Sequence, residues 1–303
     1  MSERRSNEWD ARRKKIAFWA DQLVERHGGS NWAVNLRTIA GECKISRVIF
    51  RPLLVEGGLA RDGKQLLMFV RCNEGEIAKN QKLFDSNDGF GLPARMRFTI
   101  AHEIAHTFFI EWSEGTPRVT VAGVNSTQIE TLEYTCNSTA NRLLLSQTRF
   151  RQHTSSGNRL CASMMFEFAK KCQISLPVLL FKLGQERDWG DERGAAIIVN
   201  RSDGMAAVKH MVTDVHSERL FTGWSEGTGL SILSNRCADL NVFGGSSEVS
   251  ETVLPCSFKN KPANQKCRIE SLQYGGRNNS FLVTVSLKGE PIQDEQRRLQ
   301  LDH

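Results

Sequence analysis

Apolar residues recur at helical spacing along several stretches of the chain. Over Arg12 to Arg26, the residues Ile16, Trp19, Ala20, Leu23 and Val24 share one side, and Gly28-Gly29 supplies a stop. Asn35-Leu36-Arg37-Thr38-Ile39-Ala40 opens a second, shorter helix. Ala94 to Ile110 contains neither Pro nor Gly, and Pro93 stands just before it, where a helix tolerates proline. Ile100, Ala101, Ile104, Ala105 and Phe108 form its apolar stripe. Ser126 to Leu145 repeats the pattern through Ile129, Leu132, Cys136, Ala140, Leu143 and Leu144, with Ser126 or Thr127 as cap. Strand signals occupy Val48 to Leu54 and Gln65 to Arg71, with Gly57-Gly58 and Asp62-Gly63 read as turns. Further on, Phe166 to Gln185 reads as two short helices parted by Gln173-Ile174-Ser175, and the polar stretch Glu186 to Gly194 reads as a linker. Ala195 to Asn200, Arg268 to Tyr274 and Phe281 to Leu287 are expected strands, separated by glycine turns such as Gly244-Gly245 and Gly275-Gly276. No internal repeat is evident.

The third of these helices carries the candidate chemistry. Its run Arg97-Phe98-Thr99-Ile100-Ala101-His102-Glu103-Ile104-Ala105-His106 contains His-Glu-x-x-His. Histidines at i and i+4 lie one turn apart on one helix face, so both imidazoles can reach a single ion. Glu103 between them can take a proton from a water on that ion. A buried helix with merely hydrogen-bonded histidines is the bland alternative, and the intervening Glu weighs against it. A third ligand is required. A metzincin would carry Gly at position 109 and His at position 112, where this chain has Phe109 and Trp112. A carboxylate from the helix over Ser126 to Leu145 is the other solution, and Glu130 and Glu133 both lie near one of its faces. Spacing does not choose between them. Tyr134, Arg97 and His153 are oxyanion donors by residue type, though each reads more naturally as structural.

The stretch RFTIAHEIAH resembles the signature of the ImmA/IrrE family of zinc metallopeptidases, which follows it with a helix of pattern E-x-x-A-N-x-x-A-x-x-L-L-x-P. Here that helix reads Glu133, Cys136, Asn137, Ala140, Leu143 and Leu144, with Ser146 in place of the closing Pro and Cys136 in place of the first Ala. The resemblance implies that Zn2+ is held by His102, His106 and Glu133, that Glu103 is the catalytic base, and that Asn137 fixes the tautomer of a ligand histidine. Glu130 is then a solvated or capping carboxylate. It further implies an α+β architecture: a gluzincin-like peptidase domain over 1–146, a helical segment with a helix-turn-helix look over 147–190, and an α/β GAF-like sensor domain over 191–303. In zinc peptidases an edge strand above the metal holds the substrate backbone, and Leu66 to Cys72 is the expected edge, with an ordinary core strand as its equal alternative. Cys72 as an inhibitory zinc ligand ranks below a buried core thiol. The implied substrate is a helix-turn-helix transcriptional repressor, and the implied activator is single-stranded DNA or another stress signal read by the sensor.

Composition limits the alternatives. The chain has 303 residues, 40% hydrophobic and 24% charged, enough for two or three domains. No apolar run approaches the roughly 18 residues of a membrane span, and the charged start leads into an amphipathic helix, so a secretory signal is not expected. Eight cysteines without a CxxC pair point to reduced thiols and a cytoplasmic setting. A formal net charge of +6 falls short of a nucleic-acid footprint. The competing classes are a DNA-binding regulator on a degenerate peptidase fold, for which the intact His102, Glu103, His106 and Glu133 set is superfluous, and a zinc amidohydrolase acting on a non-peptide amide.

Overall fold

A computed structural model describes residues 2–27, 31–113, 116–119, 126–154, 161–185, 194–202, 205–213, 221, 248–258, 261–274, 280–287 and 292–293. The glycine pairs Gly28-Gly29, Gly244-Gly245 and Gly275-Gly276, and linker residues 186–193, lie outside the described residues. The chain is of mixed α+β class and divides into two compact units, one of residues 1–151 with 170–175, the other of 152–169 with 176–303. The segment 147–190, read from the sequence as a helical piece of its own, is shared between them.

The first unit opens with α1 (Ser2–His27), which buries Ile16, Ala20 and Val24 and leaves Trp19 at 42% exposure. The helix begins well before Arg12, because nothing in its charged amino-terminal turns breaks it. α2 (Leu36–Glu42) is capped by Asn35, whose side chain accepts from the Thr38 N–H at 2.9 Å. Then come β1 (Ile45–Arg51), β2 (Gly57–Asp62) and β3 (Gln65–Arg71), joined as a three-stranded sheet in the order β1-β3-β2. β3 runs parallel to β1 and antiparallel to β2. The stretch Leu66 to Cys72 is therefore the centre of the sheet and not its edge. Its alternating Leu66, Met68 and Val70 are buried with a strand on either side. The edge strands are β1 and β2, and Gly57-Gly58 does not turn but starts the second of them. The expected turn at Asp62-Gly63 is present, with Gly63 at φ +61°. Cys72 is a buried core thiol.

After α3 (Ile77–Ser86), the helix α4 (Ala94–Thr107) starts on Pro93. It stops short of Ile110. Phe108 and Phe109 donate N–H bonds to Ala105 and His106 in a tightened last turn, and Ile110 enters β4 (Ile110–Ser113), which pairs with β5 (Thr116–Val119). Phe109 instead joins Ile16, Ala105, Leu132 and Cys136 in a buried cluster. α5 (Ser126–Leu144) packs along α4 and α1, and α6 (Gln147–Thr154) follows it. Ile129, expected on the apolar stripe of α5, is 48% exposed.

The second unit contains most of α7 (Ala162–Cys172), all of α8 (Leu176–Gln185), and a six-stranded antiparallel sheet. Its strands are β6 (Gly194–Ser202), β7 (Met205–Thr213), β8 (Glu248–Phe258), β9 (Lys261–Tyr274), β10 (Ser280–Leu287) and β11 (Ile292–Gln293). The path is β11-β9-β10-β6-β7, with β8 added beside β9. Ile197, Val199, Ile269, Phe281, Val283 and Val285 form its core. The carboxylate of Glu270 on β9 accepts the Ser163 N–H at the start of α7 at 3.0 Å. Among the described residues no helix is long and apolar enough to cross a membrane.

Candidate metal centre

Two neighbouring helices of the first unit build the site. Helical spacing sets His102 and His106 one turn apart on α4, with ring centroids 4.8 Å apart. Their Nε2 atoms approach to 3.0 Å. Glu133 on α5 points at both: its Oε2 lies 3.2 Å from His102 Nε2, and its Oε1 lies 3.6 Å from His106 Nε2. The donor atoms of all three residues fall within 4.8 Å of one another, a group able to hold a metal ion. Glu130 is exposed and outside this group, so the packing of α5 on α4 brings Glu133 to the two histidines and leaves Glu130 away from them.

The far nitrogens of both rings also have partners. Asn137 Oδ1 lies 2.9 Å from His102 Nδ1, and Cys136 Sγ lies 3.5 Å from His106 Nδ1. Glu133, Cys136 and Asn137 stand at i, i+3 and i+4 of one helix turn, which is why one element reaches both rings. Burial, and then the neighbouring His102, lower the pKa of His106 from its ordinary 6.5, favouring the neutral imidazole that can accept a metal.

Glu103 is only 8% exposed. Burial first, and the Glu133 charge second, push its carboxyl up to about 7. The wall against it is the start of β2. A Cβ built on Gly57 would stand 2.8 Å from Glu103 Oε1 and 2.8 Å from Thr99 Cγ2, so this close approach requires glycine.

These groups open into a cleft of about 870 Å³. Leu59, Phe98, Phe109, Ile110 and Leu132 supply apolar walls, and Gly57 and Gly58 of β2 form one border. At the rim Arg95 grips Glu56 through two bonds, Nε to Oε2 at 3.1 Å and Nη2 to Oε1 at 2.8 Å. Arg71 reaches the same carboxylate at 3.4 Å. Of the oxyanion donors named by residue type, neither Arg97 nor Tyr134 lines the cleft. Arg97 is fully buried and donates to the carbonyls of Gly89 at 2.7 Å and Val34 at 2.8 Å. Tyr134 is 56% exposed and carries the Arg13 guanidinium on its ring. The His153 side chain lies outside the described residues. Sequence pattern reads Gly57 as a turn residue and Cys136 as part of an apolar stripe, and it contains neither the approach of Gly57 to Glu103 nor that of the Cys136 sulfur to His106.

No family model matches the chain, and no curated protein matches it. Among solved structures it is similar to a chain described as a Mycobacterium tuberculosis transcriptional regulator. The identity is 12% and the TM-score 0.48, over 92% of this chain and 77% of that one.

Proposed function

We propose that the chain is a zinc-dependent endopeptidase of the ImmA/IrrE kind, and that its substrate is a helix-turn-helix repressor whose cleavage releases stress, DNA-damage or phage-defence genes. The observation that carries this reading is the convergence of His102, His106 and Glu133 in one cleft with Glu103 beside them. Tetrahedral zinc with N and O ligands at about 2.0–2.1 Å sets neighbouring ligand atoms about 3.3 Å apart. The separations of 3.0, 3.2 and 3.6 Å bracket that value. Two imidazoles and one carboxylate make a donor set suited to zinc, and three protein ligands leave a fourth position open, as catalytic sites do. When bound, zinc supplies Lewis-acid polarisation of the scissile carbonyl and lowers the pKa of water toward neutrality.

The chain's own groups do the rest. Asn137 Oδ1 accepts from His102 Nδ1–H and turns Nε2 of that ring toward Glu133. Glu103 takes a proton from the attacking water and hands it to the leaving amine nitrogen. The water oxygen stays on the acyl carbon as the C–N bond breaks. A carboxyl near 7 suits transfer in both directions at neutral pH. Among the described residues no strand pairs with the outer edge of β2, and an extended peptide laid there would pass beside Glu103. The apolar cleft walls suit a bulky apolar side chain.

In this reading the first unit is gluzincin-like, α7 and α8 are the helix-turn-helix-like piece, and the sheet of the second unit belongs to a GAF-like sensor that responds to single-stranded DNA or another signal. A cytoplasmic setting accords with Cys43, Cys72, Cys136, Cys161, Cys172 and Cys267, all free thiols. The test is to incubate the protein with the helix-turn-helix repressor encoded beside it, with and without single-stranded DNA, and to map products by mass spectrometry. Cleavage at one bond, abolished by chelation and by Glu103→Ala, is expected. No cleavage under any condition, or cleavage that survives Glu103→Ala, overturns the reading.

A further inference from the structure

We propose that Cys136 is a positioning residue for His106: its sulfur accepts the Nδ1–H of that ring and holds Nε2 toward Glu133. The inference rests on reading His102, His106 and Glu133 as a metal site. His106 Nε2 is committed to that group, 3.0 Å from His102 Nε2 and 3.6 Å from Glu133 Oε1. Nδ1 is the nitrogen left over, and the atom facing it is Cys136 Sγ at 3.5 Å. A thiol sulfur is a weak acceptor, and with Nε2 occupied the proton of a neutral imidazole must sit on Nδ1.

Packing alone does not account for the residue. Cys136 is fully buried among Ile16, Ala105, Phe109 and Leu132, where an alanine would also fit, but alanine has no atom to receive the ring N–H. Without Cys136 that N–H would face an apolar cluster, and a buried donor left without a partner costs free energy. The two ligand rings are thus held unequally, His102 by an amide oxygen at 2.9 Å and His106 by a sulfur at 3.5 Å. One turn of α5 supplies a ligand and both ring partners.

The experiment measures Zn2+ and Co2+ affinity of the full chain by chelator competition, in wild type, Cys136→Ala and Cys136→Ser, with folding checked by circular dichroism. Losing a ring partner of this kind weakens metal binding 10–100-fold in general, so Cys136→Ala is expected to lose about tenfold and Cys136→Ser, which restores an acceptor, to stay within about threefold of wild type. Equal losses in both variants would assign the residue to packing and overturn the role. So would undiminished affinity in Cys136→Ala. A wild-type chain that binds neither metal sinks the metal site itself, whereas normal wild-type binding with an indifferent Cys136→Ala sinks only this role. Should either variant misfold, 15N NMR of the metal-loaded wild type decides. A proton on His106 Nδ1 with Nε2 metallated is expected, and the reverse overturns the proposal.

Discussion

Gly57 and Glu103 share a space too small for a methyl group, so the Glu103 carboxylate and the first residue of β2 hold each other in place. Gly57→Ala puts a Cβ 2.8 Å from Glu103 Oε1, and the carboxylate or the strand must move. Misplacing a reacting group by about 1 Å costs on the order of 10²-fold, so kcat/KM on the proposed repressor substrate is expected to fall at least tenfold. Metal content should stay that of wild type, because the atoms nearest that Cβ belong to Glu103 and Thr99 and not to His102, His106 or Glu133; loss of metal on atomic-absorption analysis would contradict this account. Glu103→Gln should lower kcat by about 10²–10⁴ with metal retained. Glu133→Ala should lose the metal that Glu130→Ala keeps. This last pair marks the limit of legibility at a single residue. The two histidines were readable because their relation is local to one helix. Glu133 and Glu130 are separated by the angle at which α5 lies on α4, and spacing within α5 does not contain it.

The same limit applies to whole elements. The apolar alternation of β3 was legible almost to the residue, yet its rank in the sheet was not, because an edge and a central strand differ in what pairs with them. Glycines settled the matter in the opposite sense to their usual reading. Gly57-Gly58 looks like a turn and serves as a strand beside a carboxylate, whereas Gly63 does make the turn. The end of α4 was overshot because Phe108, Phe109 and Ile110 continue a helical apolar pattern while Phe109 packs into a cluster with α1 and α5. Arg97 shows how the elements are fastened. Its buried guanidinium, on α4, bonds the carbonyl of Val34 before α2 and that of Gly89 after α3. Arg97→Met leaves both carbonyls without their donor, at about 1–3 kcal/mol for a buried orphan. A loss of about 2–4 kcal/mol in urea unfolding of the first unit is expected on that scale. A loss under about 1 kcal/mol would mean that water replaces the guanidinium.

At the scale of the molecule, burial acts on thiols that the mechanism does not use. It pushes Cys43 up to about 11 and Cys172 up to about 12, from an ordinary 9.0. A thiol whose folded pKa is raised contributes stability that is complete below pH 9 and is lost as pH rises through the folded value. The urea midpoint of the first unit should therefore hold from pH 7 to about 9 and then fall, and a Cys43→Ala, Cys172→Ala chain should fall less. In the second unit β6, β9 and β10 were legible from their sequence pattern while β7, β8 and β11 were not, and neither the pairing of β10 with β6, distant in sequence, nor the place of β8 beside β9 was legible, because local pattern carries no partner. Division into two units gives the metal reading a consequence for unfolding. His102, His106 and Glu133 and every residue lining their cleft lie within residues 1–151. A ligand that binds only the folded state stabilises by RT ln(1 + [L]/Kd), about 4 kcal/mol at a thousandfold excess over Kd. Chelation should therefore lower the calorimetric transition of the first unit by several degrees and leave that of the second where it was. A shift of both together would show that the two units unfold as one. No shift in either would show that metal contributes nothing to the fold that holds Glu103 in place.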